Sequence, residues 1–300
     1  MTARLLVRLC PLLTLLLAFP AGSCNVLELC PPNEFRAGFL SQGDCVLTRS
    51  ASLGGHEWLT SFANQDLRER DGISFTDEEI DLIIEGNRRV DFPKHLLVHL
   101  NSSVLSYVDA INAYHDAPEN QAKHFLLDDR NDKHGASAAA HELLIDITQR
   151  AVARWDVNRT ESLTLMGQAC HTIQDSFSRA HTRRDLDDRA CILKVKAYMP
   201  RAKGFLTDDI EFHGADEGDT IGHITPEDSI YQEGRSCREP SGRDAIEECL
   251  SVHAQLGRTA TRDYLAAMLR LTRDSADEEA VQASLEGFIE EHLSLCEEPI

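Results

Sequence analysis

Between Gly167 and His181 the chain reads Gly-Gln-Ala-Cys-His-Thr-Ile-Gln-Asp-Ser-Phe-Ser-Arg-Ala-His. His171 and Asp175 are four apart, so a helix there presents both on one face, one turn from each other. His181 follows six residues after Asp175, and Ser178 lies between them, where the helix can end. Imidazole, carboxylate and imidazole converging in this way form a ligand set for a borderline-soft divalent cation, zinc foremost. Taken alone, the same residues could be two polar positions on a solvent face and a separate histidine beyond them. The order of other His and Asp residues along the chain is what separates the two readings.

Most of the chain has helical periodicity. Residues 56–67 form a short helix candidate after Gly54-Gly55. Thr76 with Glu79 three residues on is a capping box, opening a helix to about Glu85. Pro93 can start the next helix, running to about Tyr114 with Leu96, Leu97, Leu100, Leu105, Val108 and Ile111 at helical spacing. Further helices are expected from Ala136 to Trp155, from Glu161 to about Ser178, from Arg243 to Leu271 and from Asp277 to Leu295. Residues 182–240, rich in Gly, Pro, Asp and His, read as irregular, and no strand alternation or internal repeat stands out. The expected fold is all-α: a multi-helix bundle around one core, with a long loop region near one end.

Residues 1–23 read as a secretory signal, with Arg4 and Arg8 before an apolar run, Leu12 to Ala18, and Ala21-Gly22-Ser23 as a cleavage site. That run is too short for a membrane span. Cys24 directly follows, so lipid attachment there is the alternative to free secretion. Residues 24–50 form a cysteine-containing extension, and residues 51–300 a single domain. Of nine cysteines, eight lie beyond the signal: Cys24, Cys30, Cys45, Cys170, Cys191, Cys237, Cys249 and Cys296. An even count in a secreted chain suggests disulfides, although eight thiols allow 105 pairings. The formal net charge of -20 disfavours a stable grip on nucleic acid or on anionic membrane. A small phosphorylated substrate remains compatible, because bound cations reverse the local field.

His56-Glu57 and His141-Glu142 begin like the zincin HExxH motif, but Thr60 and Ile145 stand where its second His belongs. The remaining candidates fall in a definite order: His56 before Trp58, Asp91, His124 before Phe125, then His171, Asp175 and His181. In these residues the chain resembles the zinc-dependent phospholipase C family and its relatives, the single-strand-specific nucleases, over roughly residues 50–230. The resemblance implies an all-helical fold holding two or three zinc ions in a cleft. It assigns one zinc to Asp91, His124, His171 and Asp175, and a second to His56 with Asp175 as the bridge. A third would be held by His181 with either His223 and Glu227 or His213 and Glu217. The chain departs from the family in two respects: the family's free amino-terminal Trp is a ligand and no Trp lies near Cys24, and the stretch from His181 to the last candidate pair is longer than the family's spacing.

The chemistry so implied is hydrolysis of a phosphodiester, with Asp175 setting the spacing of the cations and Asp91 orienting the attacking water as a base. No Gly-x-Ser-x-Gly nucleophile elbow is present. Phospholipase C action on a phospholipid headgroup is the first expectation, with transient contact at a membrane surface. The single-strand nuclease is the alternative enzyme, and the low aromatic content, 6%, counts against base-stacking platforms. A non-catalytic secreted module stapled by zinc is the third reading. His95, His99, His115, His134, His141, His253 and His292 are expected to be satisfied within the fold or exposed.

Overall fold

The computed structural model describes residues 55–101, 106, 110, 113–128, 132–179, 181–186, 190–197 and 250–297. Six helices carry the architecture: α1 (Gly55–Asp66), α2 (Asp77–Asp91), α3 (Lys133–Arg154), α4 (Arg159–Asp175), α5 (Val252–Arg273) and α6 (Glu278–His292). The region is mostly helical, as expected for a bundle. The signal, the extension to residue 50, Cys24, His213, Glu217, His223 and Glu227 lie outside the described residues.

Helix starts follow local chemistry. Thr76 caps α2 through its hydroxyl while the Glu79 side chain returns to the Thr76 N–H, the full capping box. Asp132, Asn158, Ser251 and Asp277 cap α3, α4, α5 and α6 in the same way, each accepting from a backbone N–H three residues on. Helix α1 ends in a π-helical turn, Leu67–Asp71, closed by Gly72 with a left-handed backbone at φ 66°.

Helix α4 is the central element. It packs most extensively on α2 and next on α3, and its side chains Leu163, Met166 and Ile173 are buried with Ile83, Leu144, Tyr264 and Leu265. The α2–α4 crossing is unusually close. A Cβ on Gly167 would stand 1.9 Å from the Ile83 carbonyl oxygen, and one on Gly86 would stand 2.1 Å from that of Thr164. The two backbones therefore touch, with no side chain interposed. Helix α5 packs on α1 and α4, and its Arg258 grips both carboxylate oxygens of Asp66 at 2.6 and 2.7 Å.

Four expectations need correction. Helix α2 runs to Asp91, six residues past Glu85, because Asn87 and Asp91 are buried on its inner face rather than forming a solvated end. In place of an α-helix from Pro93, residues Lys94–Asn101 form a 3-10 helix, whose first bond runs from the Leu96 N–H to the Pro93 carbonyl at 3.0 Å. The irregular stretch contains an antiparallel pair, β1 (Thr182–Arg184) with β2 (Ile192–Val195), its register broken by an irregularity between Arg183 and Arg184. Cys170 is a free thiol buried in α4, whereas Cys191 pairs with Cys296 and fastens β2 to the end of the described chain.

Candidate metal centre

Six of the expected ligands meet in one buried cluster: His56, Asp91, His124, His171, Asp175 and His181, each at most 4% exposed. His56 comes from the first turn of α1, Asp91 from the last residue of α2, and His171 and Asp175 from the last turn of α4. The glycine crossing brings the ends of α2 and α4 together, so that Asp91 reaches His171 on α4. His124 closes a 3-10 turn and is aimed inward by Phe125, whose backbone is left-handed at φ 52° while its side chain is fully buried. That conformation is uncommon for a bulky residue, so burial of the ring offsets local strain. His181 sits in a turn in which the Ser178 carbonyl accepts from the N–H groups of His181 and Thr182.

The donor atoms are close. His171 Nε2 lies 3.0 Å from Asp175 Oδ2 and 3.3 Å from Asp91 Oδ1. His124 Nδ1 lies 3.1 Å from Asp175 Oδ2, 3.8 Å from Asp91 Oδ1 and 3.2 Å from His171 Nε2. The other carboxylate oxygen, Asp175 Oδ1, faces His56 Nε2 at 3.2 Å. Asp175 thus divides its two oxygens between two groups of imidazoles. Two sets of buried groups, His56 with His171 and Asp175, and Asp91 with His124 and His171, could each hold a metal ion.

The opposite ring nitrogens are held as well. Nδ1 of His56 meets Gln174 Oε1 at 2.9 Å and Nδ1 of His171 meets Asn87 Oδ1 at 3.1 Å, while at His181 the same Nδ1 that lies 3.8 Å from Asp175 Oδ2 meets the His124 carbonyl at 2.6 Å. Such partners fix ring orientation and raise ligand basicity. His124 Nε2 is buried with no hydrogen-bond partner among the described residues. His115, half-buried, hydrogen-bonds through Nε2 to the Asp91 carbonyl at 3.1 Å, and its ring lies 4.7 Å from that of His124.

Electrostatics favour a cation. Burial drives His56 down to about 3, and the adjacent His171 adds to this, so His56 is neutral and able to ligate. Burial would lower His171 too, but Asp175 and Asp91 reverse it and bring it up to about 9. Burial would raise Asp91, but His171, His124 and His56 outweigh it and hold it near 2. For Asp175 burial also opposes ionisation, but His181, His171 and His56 keep it well below its ordinary value. A metal entering here meets two ready carboxylates and has to displace the His171 proton.

Sequence reasoning missed Asn87, Thr60 and Thr261, the role of Gln174, and the buried Glu57, which pairs with Arg88 at 3.2 Å. The one available signal was spacing: Asn87 precedes Asp91 by four residues on the same helix. A further grouping, Asp263, Glu291 and His292, lies between α5 and α6. There Arg262 already pairs Asp263 at 2.6 Å and His292 approaches the same carboxylate at 3.2 Å, so its charge is balanced without an ion. No family model, curated protein or solved structure matches this chain.

Proposed function

We propose that this chain is a secreted zinc-dependent phosphodiester hydrolase, phospholipase C-like in its substrate class. The observation that carries the reading is the placement of four donor atoms: Asp91 Oδ1, His124 Nδ1, His171 Nε2 and Asp175 Oδ2. Five separations among them run from 3.0 to 3.8 Å. A tetrahedron with bonds of about 2.0–2.1 Å, the zinc preference, has edges of about 3.4 Å. Two imidazoles and two carboxylates suit zinc better than the all-oxygen shells of magnesium or calcium. The second oxygen of Asp175, turned to His56, supports a second cation beside the first.

When bound, the cations supply Lewis acidity toward a phosphoryl oxygen and activate water near neutral pH. The protein's own groups do the rest. Asp175 holds the two positions in register. Asp91 stays ionised and accepts a hydrogen bond from a water, orienting it; held near 2, it is a weak proton acceptor. His115 steadies the Asp91 backbone. The order of ligands along the sequence supports the phospholipase C kinship, and the acidic chain suits a zwitterionic headgroup better than a polyanion.

The test is elemental analysis of purified protein together with hydrolysis of p-nitrophenyl phosphorylcholine and of single-stranded DNA. Two or three zinc ions per chain with release from the choline ester support the reading. Cleavage of DNA alone transfers the protein to the nuclease reading. Tightly bound zinc with neither activity makes it a structural module, and no bound transition metal overturns the proposal.

A further inference from the structure

We infer that Gln174 is a positioning residue whose carboxamide, together with Asn87, sets the tautomers of His56 and His171 so that both turn Nε2 toward Asp175. The inference rests on the metal reading for its purpose but not for its geometry.

Each direction in the network follows from the one before. The Thr60 hydroxyl donates its hydrogen to the His56 carbonyl at 2.9 Å, and Thr261 donates its own to the Gly257 carbonyl at 2.7 Å. A carbonyl only accepts, so both hydroxyls have only lone pairs left to offer. Gln174 approaches Thr60 at 2.9 Å and Thr261 at 3.2 Å, so its amide nitrogen must face them. Its oxygen Oε1 then faces the other way, toward His56 Nδ1 at 2.9 Å and Asn87 Nδ2 at 3.0 Å. His56 Nδ1 must therefore carry a hydrogen, and Asn87 must present its nitrogen, which also donates to Thr60 Oγ1 at 3.2 Å. Asn87 Oδ1 is left for His171 Nδ1 at 3.1 Å, and that nitrogen too must be N–H. Which end of an amide is oxygen is settled by such a network and by little else.

The consequence lies at the centre. A neutral imidazole with its hydrogen on Nδ1 has its lone pair on Nε2. At His56 that lone pair points at Asp175 Oδ1, 3.2 Å away, and at His171 at Asp175 Oδ2, 3.0 Å away. Acceptor facing acceptor between buried groups calls for a positive charge between them, a metal cation or, at His171, the Nε2 proton that a metal has to displace. Gln174 is buried between His171 and Asp175 on α4, and it reaches α1, α2 and α5 at once. All three helices thus help set the charge preference of the cluster.

The order of donors and acceptors gives an asymmetric test. Gln174→Glu keeps an oxygen toward His56 and Asn87, and the threonine hydroxyls can turn to donate to its other oxygen. Asn87→Asp sets an oxygen against Gln174 Oε1 and breaks the order. Gln174→Leu removes the acceptor altogether. Long-range proton–nitrogen NMR of the imidazoles, in metal-free and zinc-titrated protein, reads the tautomers directly. Expected are an Nδ1–H His56 in wild type and in Gln174→Glu, with zinc affinity kept within a few-fold. Gln174→Leu should show the Nε2–H form and bind zinc 10–100-fold more weakly. Asn87→Asp should weaken zinc more than Gln174→Glu does, although both add one carboxylate. An Nε2–H His56 in metal-free wild type overturns the assignment, as does Asn87→Asp binding at least as tightly as Gln174→Glu. If Gln174→Leu does not fold, those last two variants decide. If wild type binds no zinc, the metal reading falls, while the tautomer spectrum still tests the network.

Discussion

The two halves of α4 pack by different rules. Its first half, around Leu163 and Met166, sets fully buried apolar side chains against the core, where neighbours can shift to absorb a change of shape. From Thr164 to Gly167 it sets backbone against the backbone of α2, and beyond that it sets His171, Gln174 and Asp175 against the polar ends of other elements. Nothing at the crossing can give way, because the atoms in contact are carbonyls rather than the far ends of side chains. A cluster whose donors must lie about 3 Å apart needs that rigidity; an apolar core does not. Both halves are buried, but only one is directional.

The largest break in the comparison is at Asp175. Asp175→Asn removes one charge and turns one oxygen into a donor where two imidazole groups converge. Zinc content per chain should fall, with affinity reduced by more than about 100-fold, beyond what loss of a supporting group causes. Phosphodiester hydrolysis should be lost with it. Full activity with unchanged zinc, by elemental analysis and choline-ester assay, would end the bridging role.

Next come two alanine substitutions that set the halves against each other. Leu163→Ala leaves a cavity in the apolar half and should cost about 2–5 kcal/mol, with zinc binding unchanged once the protein is folded. Gly167→Ala adds a single methyl but forces the α2–α4 crossing apart, for about 1–3 kcal/mol or somewhat more. It should also weaken zinc, although Gly167 itself offers no ligand atom, because Asp91 and Asn87 move away with α2. Urea denaturation and zinc titration of both variants check this; equal zinc affinity in the two would show that the crossing does not position the cluster.

The same contrast explains what could be read from the sequence. Apolar spacing and caps located the helices, and Thr76 with Glu79 and Asp277 fixed two starts within a residue. The end of α2 was missed because Asn87, Arg88 and Asp91 interrupt the apolar spacing, whereas the polar core buries Asn87 and Asp91 on the inner face of the helix. The candidate ligands were legible because imidazole and carboxylate at i and i+4 have a chemical meaning of their own. The groups that orient them were not, since Gln174, Asn87, Thr60 and Thr261 gain their roles only from meeting across four helices. Gly167 was visible as a residue, but its contact with Ile83 exists only in three dimensions. The β1–β2 pair lacked alternation; a buried Arg184, bonded to carbonyls of Ser176, Ala190 and His292, and the Cys191–Cys296 bridge hold it instead.

A smaller effect separates the halves by pH. In chelated protein His171 sits at about 9 against an ordinary 6.5, so its contribution to stability is full below 6.5 and is lost as pH rises through 9. His56, at about 3 against 6.5, contributes fully above 6.5 and progressively less as pH falls toward 3. Asp91, near 2 against 3.8, adds a further acid loss below 3.8. Stability of the metal-free protein should therefore peak near pH 6.5. With zinc in place of the His171 proton the alkaline limb should flatten. Thermal unfolding from pH 5 to 9.5, with zinc and with chelator, measures the difference; parallel alkaline slopes would contradict it.

The smallest expected change lies farthest from the cluster. Thr76 caps α2 at the end opposite Asp91. Thr76→Ala removes the acceptor for the Glu79 N–H and should cost about 1 kcal/mol, the usual weight of a cap. Because the glycine crossing fixes α2 nearer its other end, that loss should appear in the denaturation midpoint alone, with zinc affinity unchanged. A Thr76→Ala protein that lost both stability and zinc would show that α2 moves as a rigid rod from cap to ligand. The close contact at Gly86 and Gly167 would then be a consequence of the metal centre's geometry and not its cause.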